Sequence, residues 1–402
     1  SYDRKHINWR LVGMGLLLQA GFGLIVLKSP PGRWFFAKVG DIVTGILGFV
    51  VQGASFVFGN LVQLTVPVGS MSSTGAFTAA PGGAAMTGAI FAFKVLPTII
   101  FFSSLMSVLY YLGVMQWVVK GIAWVMQRSL GTSGAETLSA SGNIFLGQTE
   151  APLLIKPFVG RMTQSELITV MVGGFATVAG GVMAAYVAVL QDYFPSIAGH
   201  LLAASVMNAP AGLLLSKMLL PETGHPVTKD TLHVEVEKTD SSVIEAAANG
   251  ASTGVQLALN VAGMLIAFVA LVAMLNFGIQ WIGVQVGMPG LSLQSILGTV
   301  LRPLAWVMGV PWQDTAYVGS LIGIKTVLNE FVAYLQFAGD LSTTAVIIEP
   351  RSAVIAAYSL LGFANFSSIA IQIGGIGGLA PERRGEIARF GLRAMVAGNL
   401  AA

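Results

Sequence analysis

The chain has 402 residues, of which 54% are hydrophobic and only 10% are charged, and its formal net charge is +3. An ordinary soluble domain carries about 25% charged residues, so this composition argues against a soluble enzyme and predicts a polytopic membrane protein. The small net charge gives no indication of nucleic-acid binding. The chain contains no cysteine, which excludes disulfides, thiolate catalysis and cysteine-ligated metals.

The first predicted element is a helix over residues 11–27, short for a full membrane span and ended by Pro30 and Pro31. Helices are favoured throughout because the apolar runs are long and lack the alternation of a membrane β-barrel. Residues 33–58 have helical apolar spacing with interspersed polar residues, which indicates a helix lying partly in the membrane interface; a core-packed helix is the alternative. Residues 68–83, rich in glycine, serine, threonine and proline, are predicted to form a loop.

Further spans are predicted over residues 86–115, 167–190, 198–220, 251–282 and 352–373. A last one begins at residue 387. The first of these spans contains Lys94 and Pro97, which predict a kink. Residues 222–245 are rich in charge and are expected to lie outside the hydrocarbon. The glycine run over residues 374–378 has no preceding strand and no phosphate-loop lysine, so it is interpreted as a loop after a helix.

Two regions, residues 121–158 and 309–337, carry acids, amides and glycines where a lipid-facing helix would be uniformly apolar. These regions and the helices after them repeat the same ordered features. The first copy reads Glu136-Thr137, Gly142-Asn143, Glu150 and Gly174-Phe175-Ala176-Thr177, and the second reads Asp314-Thr315, Gly319-Ser320, Glu330 and Gly362-Phe363-Ala364-Asn365. Paired, interrupted segments are typical of secondary transporters with inverted repeats. They predict an all-α membrane protein whose site lies near the midplane, between two interrupted hairpins and two broken helices.

The densest polar cluster in these regions is Gln148-Thr149-Glu150, with an amide, a hydroxyl and a carboxylate in succession. In a continuous helix these side chains would point about 100° apart, so they converge on one ligand only at an unwound tip. The apolar residues on both sides favour membrane depth over the alternative of a solvated loop. Glu330 is flanked by apolar residues and must be paired, protonated or bound to a ligand. A salt bridge to Lys325 is the alternative to a ligand role.

Asn365, Ser367 and Ser368 place polar groups inside an apolar segment. The asparagine amide needs several hydrogen-bond partners, whereas each serine can bond to its own helix backbone. Phe363 can cover an apolar face of a ligand or simply pack. With two acids and no arginine in the hairpin tips, the set would repel an anion such as a nucleotide. It suits a neutral solute with hydroxyls, an amide-like edge and a flat face, which is the inventory of a nucleoside.

Asn143 and Thr177 offer neutral oxygens in the first copy, and Gly180 and Gly181 weaken the helix that follows. Freed backbone carbonyls combined with such side-chain oxygens suit a hard monovalent cation. Close helix packing through small residues is the alternative interpretation.

Three stretches make the sequence resemble the concentrative nucleoside transporter family, as a bacterial member. They are Gly142-Asn143-Ile144-Phe145-Leu146-Gly147-Gln148-Thr149-Glu150-Ala151-Pro152, Asn329-Glu330-Phe331-Val332 and Gly362-Phe363-Ala364-Asn365-Phe366-Ser367-Ser368-Ile369. The resemblance covers most of the chain from about Arg4 onward. It implies a homotrimer whose protomers have two re-entrant hairpins and interfacial helices, with a scaffold and a transport domain that slides like an elevator.

The resemblance also implies roles for individual residues. The first hairpin tip would bind the base through Gln148, Thr149 and Glu150, with Val182 packed on the base. The ribose would be bound by Glu330, Asn365 and Ser368, with Phe363 against it. A Na⁺ site would use Asn143, the carbonyl of Leu146, Thr177, and carbonyls near Val178 and Gly181.

The implied organisation divides the chain into five parts. Residues 1–115 hold the N-terminal spans, the interfacial helix and a scaffold helix, and residues 116–190 hold the first re-entrant hairpin and broken helix. Residues 191–283 hold the connecting spans, the polar interfacial segment and the long scaffold helix. Residues 284–376 hold the second hairpin and broken helix, and residues 377–402 hold the C-terminal helix. The two hairpin parts would form the transport domain. Bacterial members open with an apolar helix before the basic loop that begins this chain, so that helix is expected to be missing here.

The function expected from the resemblance is Na⁺-coupled symport of nucleosides such as uridine or adenosine across the bacterial inner membrane, with Na⁺ as coupling ion, no other cofactor, and lipid and the trimer as partners. Proton coupling through Glu150 or Glu330 is the nearest alternative, since Gly181 supplies no side-chain oxygen where some relatives have serine. A membrane-embedded hydrolase using the two acids is a remote alternative that lacks a nucleophile and metal ligands. A pore is disfavoured because the acids lie in interrupted hairpins.

Overall fold

The computed structural model describes residues 3–63, 65–86, 91–229, 240–342 and 348–402. The described helices up to residue 219 are α1 (Trp9–Lys28), α2 (Pro30–Phe58), α3 (Phe91–Lys94), α4 (Leu96–Tyr111), α5 (Val114–Leu130), α6 (Gly134–Gly142), α7 (Lys156–Val159), α8 (Gln164–Ala176), α9 (Gly180–Leu190) and α10 (Ile197–Leu219). They are followed by α11 (Val243–Gln285), α12 (Leu293–Val307), α13 (Thr315–Val327), α14 (Glu330–Ser342), α15 (Pro350–Ser359), α16 (Phe366–Leu379) and α17 (Arg384–Ala401). Short 3-10 helices occur at Arg4–His6, Gly59–Val62, Ala151–Ile155, Trp312–Asp314 and Pro381–Arg383.

Six helical segments of the described ranges are long and apolar enough to cross a membrane. They are Trp9–Val26, Pro30–Val62, Ala92–Tyr111, Gln164–Leu190, Ile197–Leu219 and Val243–Gln285. The fourth and fifth are 89% and 78% buried over their most apolar stretches, whereas the other four are at most 28% buried. Two spans therefore form the interior, and four present apolar side chains outward, as lipid-facing or intersubunit helices do.

Prolines lie in the first turn of helices at two positions, one where the sequence predicted a break and one where it predicted a kink. Pro30 and Pro31 begin α2, whose first turn is capped by the Ser29 hydroxyl accepting from the Gly32 N–H at 3.0 Å. Near Lys94 and Pro97, where a kink was predicted, the helix is interrupted: α3 ends at Lys94, and Pro97 lies in the first turn of α4. Residues 87–90 of this predicted span, and residues 230–239 of the charged segment, lie outside the described residues.

The prediction of a loop over residues 68–83 is wrong. Strand β1 (Thr65–Met71) pairs antiparallel with β2 (Phe77–Met86). The connection turns through Gly75, which has a φ of +79° and donates its N–H to the Ser72 carbonyl at 3.0 Å. The composition was misleading because glycine and proline are depleted in strands on average. Pairing between the two strands nevertheless satisfies backbone N–H and C=O groups, and this does not depend on the side chains. The other regular elements of the described chain are helical, as predicted.

The predicted spans over residues 167–190 and 352–373 are each broken into two helices. Residues 177–179 separate α8 from α9, and residues 360–365 separate α15 from α16. The two unwound segments cross, because the Phe363 N–H donates to the Thr177 carbonyl at 3.2 Å. Gly362 has a φ of +112°, and a Cβ there would lie 2.8 Å from the Phe175 carbonyl oxygen, so this crossing requires glycine.

The same asparagine contact occurs in both copies of the repeat. Asn208 of α10 donates its amide to the Ala176 carbonyl at 2.8 Å, and Asn399 of α17 donates to the Ala364 carbonyl at 2.8 Å. Ala176 and Ala364 occupy equivalent positions in the two Gly-Phe-Ala triplets. Each copy therefore supplies an amide to a carbonyl freed at its own helix break, which the sequence motifs did not reveal.

The acids that begin each repeat are structural. Glu136 forms a capping box with Ser133 at the start of α6, and its Oε2 lies 2.7 Å from Lys217 Nζ. Asp314 precedes α13, and its Oδ2 accepts from the Glu349 N–H at 3.0 Å and from the Ser352 hydroxyl. In both copies the acid fixes the outer end of the hairpin and leaves the tip to other residues.

The glycine run over residues 374–378 is helical rather than a loop, because α16 continues to Leu379. The absence of side chains in this run lets neighbouring elements approach the α16 backbone closely. A Cβ on Gly375 would overlap the Thr149 side chain, and a Cβ on Gly377 would lie 3.1 Å from Arg384 Cγ. The first hairpin tip and α17 can thus pack directly on the α16 backbone.

Helix α11 packs on α4 through glycine, and this contact gives a stability prediction. A Cβ on Gly254 would lie 2.6 Å from Ile100 Cα, so Gly254→Ala should lower stability by about 1–3 kcal/mol through overpacking. Gly263→Ala is the matched control, because nothing lies within 4 Å of a Cβ at that position of the same helix. Melting temperatures in detergent should fall for the first variant and not for the second; equal melting of the two would contradict the packing.

Candidate functional site

A cavity with about 710 Å³ of empty space, including its open mouth, lies where the hairpin tips and the broken helices meet. The first copy of the repeat contributes its hairpin tip and the start of α9, with the lining residues Gly147, Gln148, Thr149, Glu150, Ala179 and Val182. The second copy contributes its hairpin tip, the second helix break and α16, with Asn329, Glu330, Phe331, Phe363, Asn365, Ser367, Ser368 and Ile371. Helix α11 closes the cavity with Leu257, Val261, Met264 and Leu265. All eight residues proposed for substrate binding from the sequence line this cavity. The α11 wall was not foreseen from the sequence.

Glu330 is the most enclosed acid of the cavity wall, with 4% of its surface exposed. Its Oε1 accepts from the Tyr186 hydroxyl at 3.0 Å, and its Oε2 accepts from the Asn365 amide at 2.8 Å. Tyr186 stacks on Tyr334 at a centroid distance of 4.4 Å, which fixes the direction of its hydroxyl. Tyr186 was missed by sequence reasoning, and the available signal was a hydroxyl in the otherwise apolar helix α9.

The alternative that Glu330 pairs with Lys325 does not hold in the described structure. Lys325 donates instead to the carbonyls of Ser359 and Leu361, at 2.9 and 3.2 Å. These carbonyls lie at the end of α15, where helix hydrogen bonding stops, and a lysine is a favourable partner there. The lysine therefore satisfies backbone carbonyls at the second helix break, and the hydrogen-bond partners of the Glu330 carboxylate are neutral.

Asn365 caps α16 and holds Glu330 at the same time. Its Oδ1 accepts from the Ser368 N–H at 2.9 Å and from the Ser367 hydroxyl at 2.7 Å, while its Nδ2 donates to Glu330. An asparagine amide has two N–H donors, so one hydrogen remains for a ligand. Ser368 has its hydroxyl oxygen 3.1 Å from the amide nitrogen of Gln148, which joins the two predicted halves of the site.

The first hairpin tip is unwound, as the sequence predicted. Helix α6 ends at Gly142, and the Glu150 carboxylate turns back to accept from the Gly147 N–H at 2.6 Å. Gln148 has only 5% of its surface exposed, and its two neighbours line the cavity with it. These contacts contradict the solvated-loop alternative, because a solvated tip would leave the amide exposed.

Asn143, the first residue of the predicted Na⁺ site, has buried Oδ1 and Nδ2 atoms without a hydrogen-bond partner in the described ranges. An unsatisfied buried amide is unfavourable unless something binds it. Thr177 directs its hydroxyl at the Gly173 carbonyl at 2.9 Å, which leaves the oxygen lone pairs available. The donor set is neutral oxygen, which fits a monovalent cation.

The other members of that predicted set lie in two connected segments. Leu146 belongs to the first tip, and Val178 and Gly181 belong to the break before α9 and its first turn. The Gly180 N–H donates to the Phe145 carbonyl at 2.8 Å and ties the tip to the break. No cluster of three or more histidine, cysteine or acidic ligands occurs within the described residues, so the geometry gives no support to a divalent-metal site there.

Comparison with known proteins identifies the family. A profile described as the Na⁺-dependent nucleoside transporter C-terminus matches residues 200–402, its N-terminal counterpart matches residues 1–61, and a profile described as nucleoside recognition matches residues 92–193. The chain belongs to the concentrative nucleoside transporter family. It is therefore a multi-pass membrane transporter and not an enzyme, which removes the hydrolase alternative.

Relatives and solved structures agree with this assignment. An uncharacterised transporter of Haemophilus influenzae is 44% identical over 100% of this chain and 91% of its own length. Sodium/nucleoside cotransporter 1 of mouse is 42% identical over 99% of this chain, which spans 59% of the mouse protein. CNTnw in an inward-facing, substrate-bound state matches with a TM-score of 0.87 at 44% identity, covering 100% of this chain and 90% of CNTnw. CNTnw in an outward-facing state matches with a TM-score of 0.88, with the same identity and coverage.

The Tyr186–Glu330 contact gives a second prediction for this transporter. Tyr186→Phe leaves a buried carboxylate oxygen unpaired, which should cost about 1–3 kcal/mol of stability. Tyr334→Phe is the matched control, since its hydroxyl donates to the neutral Ala357 carbonyl at 2.6 Å in the same aromatic stack. Melting temperature in detergent should fall further for Tyr186→Phe. Equal decreases in melting temperature for the two variants would show that the bond to the Glu330 carboxylate contributes no more stability than the bond to a backbone carbonyl.

Proposed function

We propose that the chain is a Na⁺-coupled nucleoside symporter that imports nucleosides across a bacterial inner membrane. The observation that carries the proposal is the Glu330 carboxylate, buried in the cavity wall and held by two neutral donors. No lysine, arginine or histidine forms an ion pair with it in the part of the chain that is described. A buried carboxyl group without an ion-pair partner is complementary to a neutral, hydroxyl-rich ligand.

The ribose is assigned to the side of the cavity formed by Glu330, Asn365 and Ser368. Each Glu330 oxygen accepts one hydrogen bond within the protein and keeps lone-pair capacity for a ribose hydroxyl. The spare N–H of Asn365 supplies a donor beside this acceptor. A pair of neighbouring hydroxyls both donates and accepts, so it can satisfy all of these groups together, with Phe363 against the sugar.

The base is assigned to Gln148, Thr149 and Glu150, with Val182 packed on its face. A flat ring with polar edges suits this side because the tip provides amide, hydroxyl and carboxylate groups next to the apolar α9 wall. The two acids of the cavity disfavour phosphate groups, and Lys325 is occupied by backbone carbonyls. These features support a nucleoside rather than a nucleotide.

Transport is proposed to follow an elevator mechanism in a homotrimer. The tips and breaks belong to the parts assigned to the transport domain (residues 116–190 and 284–376), whereas the α11 wall belongs to the scaffold. That wall contributes apolar side chains to the cavity, so sliding along it would break few hydrogen bonds. Structures of CNTnw in inward-facing, intermediate and outward-facing states support movement of this kind.

Proton coupling is the second candidate. Glu150 has one carboxylate oxygen bonded to the Gly147 N–H, and Gly181 has no side-chain oxygen to offer a cation. Uptake of labelled uridine and adenosine into proteoliposomes, with a sodium or a proton gradient imposed in turn, tests the whole proposal. Uptake driven by the proton gradient alone would select this second candidate.

The ribose assignment gives a third prediction. Glu330→Gln should weaken uridine binding by about 1.5–3 kcal/mol, the range for hydrogen bonds to a charged group, and should reduce discrimination against deoxyuridine. Isothermal titration calorimetry in detergent measures both effects. Glu349→Gln, at an exposed acid outside the cavity, is the control. Unchanged uridine affinity in a folded Glu330→Gln protein would place the ribose elsewhere.

The cation assignment gives a fourth prediction. Sodium should raise nucleoside affinity by a factor equivalent to about 1–3 kcal/mol, because the ion would join Asn143 to the break while the same tip carries Gln148. Asn143→Ala should abolish most of this dependence and leave sodium-free binding near wild type. Asn249→Ala, an exposed amide, should behave as wild type.

The measurement is a sodium series at fixed pH and ionic strength, with choline as the replacement ion. A flat wild-type response together with a steep pH dependence would reject sodium and favour proton coupling.

A further inference from the structure

Gln372, a residue of α16 outside the cavity lining, contacts the proposed base-binding amide from behind. It is fully buried, and its Nε2 donates to the Met171 carbonyl at 3.0 Å and to Gln148 Oε1 at 3.1 Å. The Gln148 amide nitrogen in turn lies 3.1 Å from the Ser368 hydroxyl oxygen. The three side chains thus form a hydrogen-bonded relay that runs from a backbone carbonyl of α8 to the cavity.

The direction of this relay is set by the Met171 carbonyl, which can only accept. Gln372 must present its nitrogen to that oxygen, and the second hydrogen of the same nitrogen then meets Gln148. Turning the Gln372 amide over would place its oxygen against two other oxygens. The Gln372 Oε1 has no hydrogen-bond partner among the described residues, so the observed orientation keeps two good contacts at the expense of one unsatisfied atom.

The position of Gly174 on α8 shows that space is reserved for both amides. A Cβ at that glycine would lie 2.9 Å from Gln148 Cβ and 2.9 Å from Gln372 Nε2. Such distances are shorter than van der Waals contact, so any larger residue would displace the pair. The relay therefore rests on a close approach of α8, the first hairpin tip and α16.

We propose that Gln372 is a positioning residue that makes Gln148 a hydrogen-bond donor toward the substrate. Gln148 Oε1 faces Gln372 behind the tip, and this directs the Gln148 N–H groups to the other side, one to Ser368 and one to the cavity. The base atom that meets Gln148 is then an acceptor, a carbonyl oxygen or an unprotonated ring nitrogen. Ser368 receives a hydrogen from Gln148 and keeps its own O–H to donate to the ligand.

This inference rests on the proposed nucleoside function, and a double-mutant cycle tests it separately. Gln372→Met keeps the side-chain length but removes the donor, so Gln148 is free to turn over. Uridine and adenosine affinities should fall about two- to tenfold, the range for one neutral hydrogen bond. In a Gln148→Met background the same change should have no further effect, because Gln372 acts only through Gln148.

Two further variants sharpen the test. Gln372→Glu cannot donate to the Met171 carbonyl when ionised and should weaken binding more than Gln372→Met does. Gln116→Met is the matched control, because that amide also donates to a backbone carbonyl, of Tyr110, away from the cavity, and its affinities should equal those of the wild type. Should Gln372→Met fail to fold, Gln372→Leu removes the same donor without adding charge and enters the same cycle.

The outcomes are distinct. Losses that vanish in the Gln148→Met background support the relay. Unchanged affinities in Gln372→Met, or equal losses in both backgrounds, overturn it while leaving nucleoside binding established. A folded wild-type protein that binds neither nucleoside overturns the proposed function and the relay together.

Discussion

Backbone carbonyls that leave a helix at membrane depth must find donors inside the protein, because lipid offers none. The chain breaks two helices beside its cavity, and the partners at these breaks organise the surrounding structure. Lys325 donates to carbonyls at the end of α15. Asn208 and Asn399 donate to the two equivalent alanine carbonyls, and the Phe363 N–H donates to the Thr177 carbonyl. Lys325, which the sequence offered as an ion-pair partner of Glu330, instead donates to backbone carbonyls at the end of a helix.

A consequence of this arrangement is that the acids of the cavity meet neutral donors. Lys325 is near Glu330 in sequence but is engaged by carbonyls, so the carboxylate is held by a tyrosine and an asparagine instead. A buried ion pair would satisfy the carboxylate fully and leave little for a ligand. Neutral partners orient it and leave lone pairs free, which is the property a site for hydroxyl groups requires.

Sequence reasoning located most of the apolar spans and the residues at the hairpin tips, and it expected two broken helices, because polar residues inside apolar runs are local signals. It did not predict α12. It failed where the partner is distant in the chain. Tyr186 and Glu330 are 144 residues apart, and Gln148 and Gln372 are 224 residues apart. Neither Tyr186 nor Gln372 belongs to a motif, and each gains its role from packing between the repeats. Composition also gave wrong predictions at residues 68–83 and 374–378. These glycine-rich segments were predicted as loops, but the first forms paired strands and the second is a helical segment in close contact with its neighbours.

The crossing of the two unwound segments has a consequence for biogenesis. The Thr177 carbonyl obtains its N–H partner from Phe363, which leaves the ribosome 186 residues later. The first repeat can enter the membrane early, but its broken helix stays incomplete until the second repeat has been inserted. Assembly of the cavity is thus a late event in synthesis, and a chain arrested before its last helices would hold an unpaired carbonyl in the bilayer, a feature by which membrane quality control could recognise it.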